Sequence, residues 1–152
     1  MTFVASVRSG FTNYWNFRGR ASRSEFWWFI LFGWLCSGFA NALIAVATAQ
    51  SNRDLLAIFF YAVGVFLFLP LIIPSFSGTT RRLHDSGKSG WWQFAPIVNF
   101  GAVIWAIGTF DLDLPLSLLL LLLYLPGIVV FFWQVRKGSN EPNKYGPAPV
   151  LE

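Results

Sequence analysis

The side chains able to do chemistry are concentrated in "RRLHDSGKSGWW", residues 81–92, where Arg81, Arg82, His84, Asp85, Ser86, Lys88 and Ser89 stand close together. "GKS" invites comparison with a phosphate-binding loop, but that pattern needs a glycine five positions before Gly87, and Arg82 stands there. Nucleotide hydrolysis is therefore disfavoured. His84 is the single histidine, and Asp85 alone cannot complete a coordination shell, so no metal and no cofactor is expected. Ser86 and Ser89 beside His84 and Asp85 are the residue types of a hydrolase acting on a lipid-like substrate. Adjacency in sequence is not triad geometry, however, and no catalytic residue is assigned. Electrostatics is more economical. Arg81 and Asp85, four apart, can pair on one helical turn, which leaves Arg82 and Lys88 to meet lipid phosphates. Each basic residue near an anionic leaflet contributes about 1 kcal/mol, so anchoring alone accounts for the segment.

The elements that must position this segment are apolar. The chain has 152 residues, 55% hydrophobic and 12% charged, with 17 Phe and 8 Trp, a composition suited to lipid as solvent. One cysteine, Cys36, excludes an internal disulfide framework and any four-cysteine metal site. The net charge of +4 is distributed around the apolar stretches rather than gathered into a basic module, which argues against nucleic-acid binding. The first 25 residues are polar and basic, so no cleavable signal is expected and the first span should be retained.

Four spans are predicted: residues 26–49, 55–76, 92–110 and 116–135. Pro70 and Pro74 interrupt the second, Pro96 and Asn99 the third, and Pro126 the fourth. At each proline a neighbouring helix must compensate for lost backbone bonding. With the N-terminus cytoplasmic, ten Lys or Arg lie inside, in residues 1–25, the central loop 77–91 and the tail 136–152. The outer loops carry Arg53 against Asp54, Asp111 and Asp113. This bias places both termini in the cytoplasm. Trp27, Trp28, Trp91 and Trp92 stand as interface anchors where the first and third spans leave that side. The layout of basic segment, Trp pair, span, short turn and span occurs twice. A parallel repeat would give that pattern, and so would any four-span protein obeying the charge rule.

Ahead of the first span, Phe3, Val7, Phe11 and Trp15 recur every four residues. They predict a short amphipathic helix within an interfacial segment, residues 3–18, weakened by Gly10. "SRSE", Ser22 to Glu25, fits a capping box that starts the span. Gly33, Ser37, Gly38, Ala42, Ala45 and Ala49 offer a close-packing surface on span one, for this chain or for a second copy.

"NFRGRASRSEFWWFILF", "TTRRLHDSGKSGWW" and "GSNEPNKYGPAP" resemble, in that order, three signature blocks of the bacterial inner-membrane family catalogued as domain of unknown function 805. The resemblance covers about Phe11 to Pro149. It implies a multi-pass bacterial inner-membrane protein with no established reaction, substrate or cofactor. The matching positions are Gly19, Arg20, Ser22, Arg23, Glu25, Phe26 and Trp27; Arg81, Arg82, Leu83, His84, Asp85, Ser89, Gly90 and Trp91; and Gly138, Asn140, Asn143, Tyr145, Gly146 and Pro147. The apolar stretch Asn99 to Val130 is longer than the single span usual between the last two blocks, but local charge still assigns the tail to the cytoplasm.

The expected protein is all-α and polytopic, a multi-pass protein of the inner membrane with four transmembrane helices behind one interfacial helix. The three blocks are expected to meet on the cytoplasmic face. There Arg20, Arg23, Glu25, Arg81, Arg82, His84, Asp85, Lys88, Asn143 and Tyr145 would form either a lipid-headgroup site or a polar cluster that fastens helix ends. The expected partners are membrane lipids and a second copy or another membrane protein. A small transporter and a membrane-embedded hydrolase are the alternative functions. The transporter is weakened because the spans carry no ionisable residue and only Asn41 and Asn99 as their main polar groups.

Overall fold

A computed structural model describes residues 1–49, 55–110 and 114–149. The elements are α1 (Phe3–Thr12), α2 (Arg23–Ala49), α3 (Leu55–Asp85), a 3₁₀ helix (Gly90–Phe94), α4 (Ala95–Phe110) and α5 (Leu116–Val135). Among the described residues, four helical stretches are long and apolar enough to cross a membrane: Arg23–Val46, Ile58–Asp85, Gly90–Phe110 and Leu118–Val135. Arg53, Asp54, Asp111 and Asp113, on which the outer-loop charge reading rests, lie outside the described residues.

The described residues cluster into two compact units, one within Met1–Phe17 and Ser24–Gly78, the other within Arg18–Arg23 and Thr79–Pro149. In the first, Thr2 caps α1 by accepting from the Ala5 N–H, and the apolar stripe of α1 packs on α2. Phe3 meets Trp28 edge-on at 5.9 Å, and Phe11 meets Phe29 at 6.0 Å. Gly10, expected to weaken the helix, instead permits this approach: a Cβ there would enter the Phe29 ring. Its small size is worth more to the packing than the helix propensity it gives up. The close contact between α2 and α3 uses Ala40 and Ile44 against Gly64, where an added Cβ would stand 3.2 Å from Ile44. Gly33 and Gly38, two of the small residues of the expected packing surface, face open space.

α3 passes through Pro70 and Pro74 and continues nine residues beyond Phe76, so "RRLHD" is helical rather than loop. At about 1.5 Å per residue, its 31 residues reach about 46 Å, well beyond a hydrocarbon layer of about 30 Å. Its charged last turns can therefore be helical without lying at membrane depth. Nothing in "SGTTRRLHD" breaks a helix. The stop comes from Gly87, at φ +72°, with Lys88 N–H on Leu83 O and Gly87 N–H on His84 O, both 2.9 Å. That pair of bonds is a Schellman motif.

In the second unit α4 packs against α5. Pro96 falls in the first turn of α4, where a missing N–H costs nothing, and the 3₁₀ helix before it extends the apolar segment. Pro126 lies inside α5 and leaves the Leu122 carbonyl without its donor four residues on. Asn99 Nδ2 of α4 donates to that carbonyl at 2.8 Å. The compensation expected from a neighbouring helix is thus made by one named amide.

This coupling is measurable by reversible unfolding in mixed micelles. Asn99→Leu should cost about 1 kcal/mol in the native background. It should cost much less beside Pro126→Ala, which returns an N–H to Leu122; equal costs in the two backgrounds would show that the amide does not serve the proline.

Candidate functional site

The polar residues of the second unit are assembled by two helix ends. α3 stops at Asp85 and α5 at Val135, and each helix leaves terminal carbonyls without intrahelical donors. For α5, the Phe132 carbonyl is taken by the Arg136 N–H at 3.0 Å. The next two are taken by side chains from α3 and the turn after it: Ser86 Oγ donates to Trp133 O at 2.6 Å, and Arg82 Nε to Gln134 O at 2.7 Å. Arg82 Nη2 also donates to Arg136 O. A guanidinium suits this position because it brings several fixed donors and a positive charge to the negative end of the helix dipole.

The service is reciprocal. The tail that leaves α5 caps α3 in return: Asn143 Nδ2 donates to His84 O at 2.9 Å, and the Ser139 N–H to Asp85 O at 3.4 Å. The segment before α2 joins them through the Ala21 N–H on Arg81 O at 3.1 Å. Asn143 is itself fixed, since its Oδ1 accepts from the Tyr145 N–H at 2.9 Å and its backbone pairs with Gly146.

Asp85 stands between two arginines. Arg20 donates to its Oδ1 from Nε at 3.0 Å and from Nη2 at 2.7 Å, and Arg82 Nη1 donates to its Oδ2. Arg82 is 0% exposed, Asp85 4% and Arg20 9%. The remaining donors of Arg20 go to the tail carbonyls of Ser139, Glu141 (2.8 Å) and Gly146 (3.4 Å). Two cations and one carboxylate are thus buried together, with backbone carbonyls supplying the rest of the negative field. Gly138 passes so close that a Cβ would fall on the Asp85 carboxylate, which explains a glycine there. His84 stacks on Tyr145 at 3.7 Å, and its Nδ1 lies 3.1 Å from Gly19 O. A carbonyl only accepts, so that contact fixes the ring proton on Nδ1.

Six of the ten sequence-derived site residues therefore meet in one network: Arg20, Arg82, His84, Asp85, Asn143 and Tyr145. The buried Arg81 joins through its backbone carbonyl. Arg23 is exposed at the start of α2. Glu25 belongs to the other unit, where it accepts from Ser9 Oγ at 2.8 Å.

Two expectations are corrected. Asp85, expected to pair with Arg81, gives its oxygens to Arg20 and Arg82. Arg82, expected to be available to lipid phosphates, is fully buried because the neighbouring helix end engages its guanidinium. The triad types are engaged as well: the Ser86 hydroxyl by Trp133 O, Asp85 by its arginines, and Ser89 as the cap accepting from the Trp91 N–H. Among the described residues no group of three or more His, Cys, Asp or Glu could hold a metal ion.

Beside the network lies a cleft of about 430 Å³ lined by Asp85 to Lys88, Trp133, Arg136 to Ser139 and Asn143. Lys88 Nζ sits 4.9 Å from the centre of the Trp133 ring, and Trp92 meets that ring edge-on at 5.3 Å. Lys88, Arg136 and Lys137 are exposed, as are Trp91 and Trp92. Arg136, Lys137 and Trp133 were not among the expected site residues. Their signal in sequence was the basic pair directly after the last apolar run.

The family described as "Protein of unknown function (DUF805)" matches residues 14–147. Among curated proteins, the chain is 28% identical over 143 residues to "Inner membrane protein YhaH" of Escherichia coli K12, covering 92% of each chain. It is 32% identical over 142 residues to "Uncharacterized protein YiiR" of the same organism, covering 86% of this chain and 84% of the relative. "Inner membrane protein YhaI" is 24% identical over 137 residues, with 90% and 88% covered. No solved structure matches.

Asp85→Asn leaves two buried arginines without their counter-charge and should cost about 3–5 kcal/mol. Gly138→Ala should also destabilise, because the carboxylate must move. Thermal unfolding of the purified variants checks both, and a Gly138→Ala midpoint equal to that of the wild type would contradict the close approach.

Proposed function

We propose that this chain, which belongs to the DUF805 family, is a lipid-associated component of the bacterial inner membrane that binds anionic headgroups through the cleft beside the arginine–aspartate network. The observation that carries this reading is the division of labour among the basic residues. Arg20 and Arg82 are buried and occupied by Asp85 and by backbone carbonyls, whereas Lys88, Arg136 and Lys137 are exposed around one cleft. The buried pair fastens the helix ends and the exposed three meet the ligand. Because the cleft stands at the ends of two membrane-length helices, its cations lie at headgroup level. The excess of Lys and Arg in the same segments assigns this face to the cytoplasm.

The transporter alternative has less support. The amides expected to offer polar groups within the spans are already engaged, Asn41 with Ser37 O at 2.8 Å and Asn99 with Leu122 O.

Native mass spectrometry of protein extracted gently from its own membrane tests the headgroup reading. Replacing Lys88, Arg136 and Lys137 together by Gln should reduce anionic-lipid retention at least about tenfold, since each cation contributes about 1 kcal/mol. Unchanged retention in a folded triple variant would overturn the assignment. For sidedness, reporter fusions after Lys88 and after Glu152 should read cytoplasmic, and fusions at Asp54 and Asp111 should read extracytoplasmic. The opposite labels would reverse the face.

A further inference from the structure

The chemistry lining the cleft narrows the kind of headgroup it can hold. Among the described residues Asp85 is the one acidic residue of the lining, and both its oxygens are committed to Arg20 and Arg82. A headgroup ammonium, as in a zwitterionic lipid, therefore finds no available carboxylate. The hydroxyls and one amide hydrogen of the lining are committed as well. Ser86 Oγ gives its proton to Trp133 O, Ser139 Oγ donates to Glu141 O at 2.8 Å, and Asn143 Nδ2 serves His84 O. A glycerol or sugar hydroxyl meets few partners there. Recognition falls to Lys88, Arg136 and Lys137, three like charges beside a buried network in which two arginines face the single Asp85 carboxylate.

A single phosphodiester brings one negative charge and leaves most of that field uncompensated. A phosphomonoester brings about 1.5 to 2 negative charges at neutral pH, and a diphosphate brings more. The cleft volume of about 430 Å³ falls in the range of small-molecule sites, so space does not restrict it to one phosphate. Lys88 is held in place by its contact with Trp133, so less conformational freedom is lost when it engages an anion.

We infer that the cleft takes a terminal phosphate, a phosphomonoester or a diphosphate, in preference to a phosphodiester or a zwitterionic headgroup. This rests on the headgroup reading above and sharpens it. The same chemistry could arrive on a lipid or as a soluble phosphate compound. The exposed Trp92 beside Trp133 offers an apolar wall that suits a lipid.

The test is a competition on the purified full chain in mixed micelles holding equal amounts of phosphatidic acid, phosphatidylglycerol and phosphatidylethanolamine, with retained lipid read by native mass spectrometry. Phosphatidic acid should be retained at least about fivefold over phosphatidylglycerol, the factor expected of roughly one extra charge. The preference should disappear in Lys88→Gln/Arg136→Gln/Lys137→Gln and persist in Arg8→Gln, which removes an exposed cation of α1. Inorganic diphosphate is then added. Displacement of phosphatidic acid supports a site that also accepts soluble phosphates, and undisturbed retention supports a lipid ligand. Equal retention of the two anionic lipids would overturn the terminal-phosphate inference and leave headgroup binding standing. Equal retention of all three lipids would overturn both.

Discussion

Two helices that end side by side must each dispose of terminal carbonyls, and where the ends are buried by protein, water does not reach them. Here α3 and α5 solve the problem for one another. Arg82 and Ser86 close the end of α5, and the tail that α5 emits returns Asn143 and the Ser139 amide to the end of α3. Asp85 makes the exchange electrostatically tolerable by standing between Arg82 and Arg20. Without that carboxylate, two guanidinium groups would be buried with only dipoles to balance them. The basic cleft has its shape because these commitments are already made behind it.

The same economy appears where prolines break the spans. Pro126 deprives Leu122 of a donor and Asn99 supplies one, so an amide placed in an apolar helix is used as backbone repair. Elsewhere on α3, the fully buried Ser77 shares its one hydroxyl proton between Asn13 O, where the chain leaves α1, and Pro74 O. Polar residues in this protein are spent chiefly on carbonyls, which is the demand that an apolar solvent makes most strongly.

Much of the architecture was legible because membrane helices announce themselves by length and hydropathy. The bounds of α5 match the predicted fourth span, and α1 begins at the first residue of its apolar stripe. The extent of α3 was not legible in the same way. Charge marks where a span leaves the hydrocarbon, whereas a helix ends where its backbone turns left-handed, and in α3 that point is Gly87. The partners of Asp85 lie beyond local spacing for a related reason. Spacing along one helix favours Arg81, but the matter is decided by distant residues: Arg20 reaches Asp85 from 65 positions away, and the Arg136 carbonyl holds Arg82 from 54 positions away. The match of Gly138, Asn143 and Gly146 to the third signature block was the available sign that the tail is packed rather than free, and the close approach at Gly138 is its physical content.

Hydrogen exchange of the tail in bilayer nanodiscs tests most directly whether the arginine–aspartate network holds the tail against the helix ends. The amides of Ser139, Asn143, Tyr145 and Gly146 all donate within the folded unit. They should exchange far more slowly than those of a free peptide in the wild type, and that protection should be lost in Asp85→Asn. A tail that exchanges freely in the wild type, or stays protected without the Asp85 charge, would contradict the account.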